Sequence, residues 1–220
     1  MAISWISEYQ RWLSEEESLN NAQMVVNYFV GTDWTAAALS ALCGNMRHES
    51  SINPDMYEYG YDWADDRGFG LVQWTPRSKY WDWAEGEGLS PRLGDSQLAR
   101  IQYETENNIQ WIANGHSARY GLEDKYDISF SQFRANTPGY SLAELTEAFM
   151  WNYEGPAYSA GQSSLSGRIA FAERCLAELN FSGVPIDPNP DDPTPTPTPG
   201  NMNADALIHL LLSDALNGWK

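Results

Sequence analysis

The chain has 220 residues, of which 42% are apolar, and it contains ten tryptophans and twelve tyrosines. This is enough for one substantial domain with small appendages, and so many large apolar side chains exclude a disordered chain. The formal net charge of −17 excludes nucleic acid as a partner and argues against an anionic membrane surface, because both would repel the protein.

The beginning of the chain, MAISWISEYQRWL, lacks the basic start and long apolar run of a secretory signal. No stretch reaches the roughly 18 to 20 apolar residues that a membrane span needs. We therefore expect synthesis in a cytoplasm without a signal peptide, and no membrane span.

Apolar periodicity and capping signals predict mainly helical structure with one small β-element. The predicted helices cover about 4–13, 16–30, 34–49, 78–87, 94–114, 141–154 and 164–180. Thr32 or Asp33 is the expected N-cap of the third helix. After Pro54 the chain is rich in Tyr, Trp and Gly, which predicts a short β-hairpin region beside that helix.

The composition changes near residue 183, which predicts three segments. Residues 1–182 form the main domain, and residues 183–202 form a linker, because seven prolines between 184 and 200 favour an extended chain. Residues 203–220 form a C-terminal amphipathic helix, which either folds back onto the domain, associates with itself, or docks to another virion protein or the host envelope.

Neither the cysteines nor the histidines indicate a metal or cofactor site. Cys43 and Cys175 lie in apolar helical stretches, so reduced core thiols are favoured over a disulfide. The three histidines are scattered and lack metal-ligand spacing, so no metal and no cofactor are expected.

Glu49 ends the third predicted helix on its apolar face. Leu39, Leu42, Cys43 and Met46 form a core-facing stripe, and Glu49 follows Leu42 by seven residues, about 20° from the same direction. Burial and the negative end of the helix dipole are expected to raise its pKa, as a general acid for glycosidic cleavage requires. Spacing alone instead favours a solvated Glu or one paired with Arg47.

Two sequence blocks around Glu49 decide between these interpretations. The blocks GNMRHESSINP at 44–54 and GFGLVQWTP at 68–76 resemble the phage tail lysozyme family of peptidoglycan-cleaving domains. The resemblance runs from about residue 11 to about residue 180, and more distantly it is similar to goose-type lysozymes and lytic transglycosylases. It implies a mainly α, α+β lysozyme-like fold with Glu49 as the catalytic acid.

The resemblance also implies a set of substrate-binding residues. Ser50 follows the acid, and Gln73 and Trp74 lie on the strand that lines the cleft. A weaker third block, FMWNYEGP at 149–156, resembles the family's Tyr-Glu-Arg-Pro segment, with Gly155 in place of the Arg. It implies that Tyr153 orients Glu49 by a hydroxyl hydrogen bond and that Glu154 is a cleft carboxylate or an ion-pair partner.

The second catalytic carboxylate stays open at this point. Four acidic residues follow Glu49 in the β-region: Glu58, Asp62, Asp65 and Asp66. Asp65 and Asp66 are favoured, because they directly precede the Gly-Phe-Gly strand. Related transglycosylases manage without a second carboxylate, since a hydroxyl of the sugar itself attacks.

The predicted function is that of a phage-encoded muramidase acting on Gram-positive peptidoglycan. It would cleave the β-1,4 bond between N-acetylmuramic acid and N-acetylglucosamine, either from a virion tail or as a holin-released endolysin. The expected partners are peptidoglycan and other virion proteins. The alternatives are a lytic transglycosylase with anhydro products and a non-catalytic wall-binding or structural virion module.

Overall fold

Helices dominate the computed structural model, which describes residues 3–58, 64, 66–185 and 187. Within these residues the chain forms eight α-helices and one π-helical turn. The helices are α1 (Glu15–Tyr28), α2 (Ala36–Ser50), α3 (Ser78–Gly86), α4 (Gly94–Asn107), α5 (Gly115–Tyr120), α6 (Phe130–Arg134), α7 (Leu142–Phe149) and α8 (Tyr158–Glu178). The π-helical turn, Met150–Glu154, directly continues α7. The mainly α, lysozyme-like fold class is thereby confirmed.

The second helix, α2, is the central element of the core. Its predicted stripe is fully buried, and it packs mainly against α8 and α7. Thr35, rather than Thr32 or Asp33, caps the helix by accepting a hydrogen bond from the amide of Ala38 at 3.3 Å. The helix ends where Ser51 adopts a left-handed conformation with φ of 55°. Glu49 therefore lies in the last turn of the most buried helix.

The predicted β-region is present as a very short hairpin. Phe69 forms antiparallel bridges with Tyr57 and with Trp74. The amide of Trp74 donates to the carbonyl of Phe69 at 3.0 Å, and Gly70 (φ 82°) and Gln73 (φ 49°) supply the left-handed residues of the connecting turn. Leu71 and Val72, within the turn, are buried against the core.

The helix predicted at 4–13 is wrong, because asparagine side chains bind the backbone there. The side-chain oxygen of Asn21 accepts from the amide of Ile6 at 2.8 Å. Asn53 accepts from the amide of Glu8 at 3.2 Å and donates to its carbonyl at 2.5 Å. These long-range contacts satisfy the backbone without an α-helix.

Several helix limits also differ from the predictions. The helix predicted at 94–114 ends at Asn107, because Asn108 adopts a left-handed conformation with φ of 50°. The last helix begins at Tyr158, earlier than predicted. The helix predicted at 141–154 changes to π-helical geometry at Met150, and the short helices α5 and α6 were not predicted.

The described part of the predicted linker is hydrogen-bonded to the main domain. The carboxylate of Asp187 accepts from the amide of Ala37 at 2.9 Å, at the positive end of α2, and from Asn136 at 3.1 Å. The rest of the linker and the helix predicted at 203–220 lie outside the described residues, so the three-segment division stays a prediction. Cys43 and Cys175 are buried and free. No described helix has the length and apolar character required to span a bilayer.

Candidate active site

An open cleft of about 760 Å³ lies at the C-terminal end of α2. Its walls come from the end of α2, the hairpin, the π-helical turn and the chain before α1. Four of the predicted site residues line it: Glu49, Gln73, Tyr153 and Glu154. Glu58, one of the four acidic residues considered for the second carboxylate, also lines it. Five lining residues that were not assigned a site role from the sequence add aromatic and charged groups: Trp12, Tyr57, Lys79, Trp111 and Arg119.

Glu49 is held by an ion pair with Arg168 of α8. Nη2 of Arg168 donates to Oε1 of Glu49 at 2.6 Å, and Nη1 donates to Oδ1 of Asn45 at 2.9 Å. The Arg168 side chain is 1% exposed and that of Glu49 is 20% exposed. The guanidinium fixes the orientation of the Glu49 carboxyl group in the cleft wall. Pairing with Arg47, the alternative drawn from spacing, is not what the structure shows.

Arg168 was not predicted as a site residue, although its position in the helix indicates that it has a buried partner. Phe171, Ala172 and Cys175 form the buried face of α8, and Arg168 lies on that face at helical spacing from them. A long cationic side chain on the buried stripe of a helix requires a buried anion or polar partner. The partner could not be identified, because it lies 119 residues away in the sequence.

Glu154 is a partly buried carboxyl placed by the π-helical turn. This geometry ends at Gly155, whose φ of 57° closes the turn. Oε1 of Glu154 is inaccessible to solvent and has no hydrogen-bond partner among the described residues. Burial, reinforced by the negative charge of Glu49, raises the pKa of Glu154 well above its ordinary value of 4.5, although Arg168 opposes the shift. Glu154 therefore carries a proton at a pH where ordinary glutamates have lost theirs.

Tyr153 supports a different carboxylate from the one expected. Its hydroxyl donates to Oε2 of Glu104 at 2.5 Å, not to Glu49. Glu104, which sequence reasoning did not single out, also accepts from Arg100 at 2.8 Å and from Nε1 of Trp74 at 3.1 Å. Burial raises the pKa of Glu104. This hydrogen-bond network around Glu104 stabilises the wall of the cleft below Tyr153.

Gln73 uses its amide to hold the hairpin together. Nε2 donates to the carbonyls of Met56 at 3.1 Å and Gly70 at 3.0 Å. Gly68 is required beside it, because a Cβ there would lie 2.8 Å from Oε1 of Gln73. Gln73 thus lines the cleft while shaping its wall.

Ser50, Trp74 and Asp66 do not line the cleft. The Ser50 hydroxyl is buried and donates to the carbonyl of Leu71 at 2.9 Å, which ties α2 to the hairpin. Trp74 is 1% exposed and stacks on Tyr80 with ring centroids 4.5 Å apart. Asp66 is 80% exposed and lies 3.9 Å from Arg67. Asp65, like Asp62, lies outside the described residues.

Glu58 is the described candidate for a second carboxylate in the β-region. It lines the cleft, with its side chain 40% exposed, and pairs with Arg67 at 3.4 Å. It also accepts from the amide of Gly68 at 3.2 Å, which fixes it at the edge of the hairpin. The described part of the cleft therefore holds three carboxyls: Glu49, Glu58 and Glu154.

Gly155 leaves a space that a different arginine fills. A side chain at position 155 would collide with the guanidinium of Arg119, which lies over this glycine. Arg119 donates to the carbonyl of Trp151 at 3.2 Å, and its charge lowers the pKa of Glu154 against the dominant effect of burial. A guanidinium therefore accompanies Glu154 although the third sequence block has lost its Arg.

The described residues contain no cluster of three His, Cys, Asp or Glu side chains that could hold a metal ion. The chemistry that the cleft itself offers is proton transfer between carboxyls, electrostatic stabilisation of positive charge and stacking on aromatic rings. These are the elements of glycosidic bond cleavage.

Comparison with known proteins also indicates a lysozyme-like protein. The family model described as phage tail lysozyme matches residues 20–179. Morphogenesis protein 1 of Bacillus phage B103 is 39% identical over 181 residues, which are 82% of this chain and 46% of that protein. The chain thus spans about half the length of this curated relative.

Proposed function

Because the chain belongs to the phage tail lysozyme family, we propose that it is a glycosidase that cleaves the β-1,4 bond between N-acetylmuramic acid and N-acetylglucosamine. The family membership supports a lysozyme-like function on peptidoglycan. The observation that carries the specific proposal is the pair of carboxyls in one cleft: Glu49 is fixed by Arg168, and Oε1 of Glu154 is inaccessible and has no hydrogen-bond partner among the described residues.

In the proposed reaction, Glu49 delivers the proton to the leaving glycosidic oxygen. Glu49 and Glu154 line the same cavity, and the negative charge of Glu49 helps to raise the pKa of Glu154. Glu154 would supply to Glu49 the proton that Glu49 delivers to the sugar. Glu49, with 20% of its side chain exposed, is the member of the pair that reaches the sugar.

The remaining cleft residues position the glycan and stabilise the transition state. Trp12 is 52% exposed, so its ring is available to stack on a sugar face. Glu58 is the described carboxylate that would stabilise an oxocarbenium-like transition state or orient the attacking water. Asp65 and Asp66, the residues favoured from the sequence, stay predictions for this role, and the exposure of Asp66 argues against it.

The test is digestion of purified Gram-positive peptidoglycan by the wild type, by Glu49→Gln and by Glu106→Gln. Glu106 is an exposed glutamate outside the cleft and gives a matched control. Mass spectrometry of the borohydride-reduced products should show new muramic acid reducing ends with the wild type and the control, and none with Glu49→Gln. Anhydro-muramyl ends would assign a transglycosylase, and no release on walls from several hosts would assign a binding module.

We further propose that the protein acts as part of a phage virion at the cell wall. This proposal is supported by the name of the relative, a morphogenesis protein, and by membership of the tail lysozyme family. Immunoblots and wall-degradation gels of purified virions test this proposal. Finding the protein in the lysate but not in the virions would instead identify an endolysin. Docking through residues 203–220 stays a prediction from the sequence.

A further inference from the structure

A second hollow of about 350 Å³ lies next to the cleft, between α2 and α8. Arg47, His48, Gly167 and Phe171 are among its lining residues, and Trp12 lines both the hollow and the cleft. Arg47 and His48 directly precede Glu49 in α2. The hollow therefore adjoins the reacting centre, with the exposed Trp12 ring between them.

An arginine that lines this hollow, Arg47, lacks a carboxylate partner among the described residues, although the protein is strongly acidic. The chain has 30 acidic and 13 basic residues, yet Arg47 forms no ion pair with a carboxylate of the described residues. Its guanidinium lies over the ring of Phe171, 5.8 Å from the centroid. The only described carboxylate that lines the hollow, Glu15, is paired with Arg174 at 2.6 Å, and Glu16 and Glu178 share the same guanidinium. Arg47 therefore presents an unneutralised charge to the hollow.

His48 adds a neutral donor beside Arg47. Burial lowers the pKa of His48, and the charges of Arg168 and Arg47 act in the same direction, against that of Glu49. At neutral pH the ring is therefore uncharged and offers one N–H donor, which complements the guanidinium in binding an oxyanion.

Gly167 leaves the hollow open, and no packing contact requires a glycine at this position. It lies inside α8, where glycine is destabilising relative to alanine, and a Cβ there would meet nothing within 4 Å. Gly44, the other glycine of the hollow, is explained by packing, because its Cβ would collide with the carbonyl of Arg168. A bare helix surface beside an unpaired arginine is the geometry of a ligand site.

We propose that this hollow binds a carboxylate of the peptide stem that peptidoglycan carries on its muramic acid, with Arg47 as the anchor. The inference rests on the proposed function, which places muramic acid in the adjoining cleft. The stem leaves the sugar at its lactyl group, passes Trp12 and brings a free carboxylate to the guanidinium, which binds it through two parallel N–H donors.

The activity test compares two soluble substrates that differ only in the stem. They are uncrosslinked, teichoic-acid-free glycan strands with stems and the same strands after removal of the stems by an amidase. Arg47→Gln should lower kcat/KM about tenfold on the strands with stems and leave it unchanged on the stripped strands. Lys125→Gln makes the same charge change outside both cavities and should have no effect on either substrate.

A second pair of variants keeps the test independent of folding. Gly167→Gln fills the hollow, and Gly86→Gln makes the same change at another helical glycine with open space around it. Both should fold, because glutamine is the better helix former. Only Gly167→Gln should reduce activity on the strands with stems.

Direct binding separates this inference from the proposed function. Muramyl tetrapeptide has no glycosidic bond to cleave, so the difference in its calorimetric titration between the wild type and Arg47→Gln measures the contribution of Arg47 without catalysis. Binding that is lost in Arg47→Gln supports the site even if no glycan is cleaved, an outcome that would overturn only the proposed function. Equal losses on both substrates, no loss on either, or a loss seen only on walls bearing teichoic acid phosphate would overturn the stem-peptide site.

Discussion

Replacing Glu154 by glutamine should stabilise the protein at neutral pH and lower its activity. Burial raises the pKa of Glu154 above its ordinary value of 4.5, so the folded protein binds this proton more tightly than the unfolded chain does. The stability that Glu154 contributes is fully present below the unfolded pKa and is lost as the pH rises towards the folded pKa. The amide introduced by Glu154→Gln does not titrate, so the variant does not suffer this loss.

The size of the effect follows from one proton. Where the folded state holds one proton more than the unfolded state, the free energy of unfolding falls by about 1.4 kcal/mol per pH unit. From about pH 5 upwards, the wild type should therefore lose stability relative to Glu154→Gln until the pH passes the pKa of Glu154 in the folded protein. Near pH 4 the two proteins should differ little.

Urea denaturation of both proteins at several pH values measures this difference directly. Glu106→Gln serves as the control, because Glu106 is exposed, and its difference from the wild type should not change with pH in this way. A difference between wild type and Glu154→Gln that is constant with pH, or that grows as the pH falls, would refute the assignment of a raised pKa. The activity of Glu154→Gln should fall, because this variant lacks the carboxyl group that would supply the proton to Glu49.

Three further substitutions test the architecture around the cleft. Arg168→Met should destabilise the fold by about 3 kcal/mol in urea, because it leaves the carboxylate of Glu49 unpaired, and a double-mutant cycle with Glu49→Gln should show a coupling of at least about 1 kcal/mol. Trp12→Ala should change stability by less than about 0.5 kcal/mol but raise KM severalfold, since the ring is 52% exposed on the cleft. Ser50→Ala should destabilise by about 1 to 2 kcal/mol in urea, with KM unchanged, because its hydroxyl binds the carbonyl of Leu71.

Each of these substitutions has an outcome that would contradict its reasoning. Additive effects of Arg168→Met and Glu49→Gln would mean that the ion pair contributes nothing to the fold. An unchanged KM for Trp12→Ala would show that the ring of Trp12 does not bind a sugar. A rise of KM with unchanged stability for Ser50→Ala would show that Ser50 binds the substrate, as the sequence predicted.

The sequence predicted α2 and the hairpin because their signals are local. The stripe from Leu39 to Met46 has helical period, and the left-handed turn between Phe69 and Trp74 follows from Gly70 and its neighbours. The first segment was mistaken for a helix, because its backbone partners, Asn21 and Asn53, lie outside it.

The hydrogen-bond partners of the site residues could not be predicted from the sequence, because they too lie far away along the chain. Arg168 reaches Glu49 across 119 residues, and Tyr153 reaches Glu104 across 49. A change from α- to π-helical geometry at Met150 determines where Tyr153 and Glu154 lie, and periodicity assigned both to an ordinary helix. Motif resemblance identified the residues of the cleft, whereas their hydrogen-bond partners required the fold.

The role of Glu49 as proton donor is the central claim, and a change of leaving group tests it most directly. The rates of wild type and Glu49→Gln are compared on an unmodified glycan oligosaccharide and on one whose leaving group is dinitrophenolate, which departs without protonation. We predict that Glu49→Gln loses a factor of about 10² to 10⁴ on the unmodified glycan and little on the activated one. Equal losses on both substrates, or no loss on either, would contradict the assignment of Glu49 as the acid.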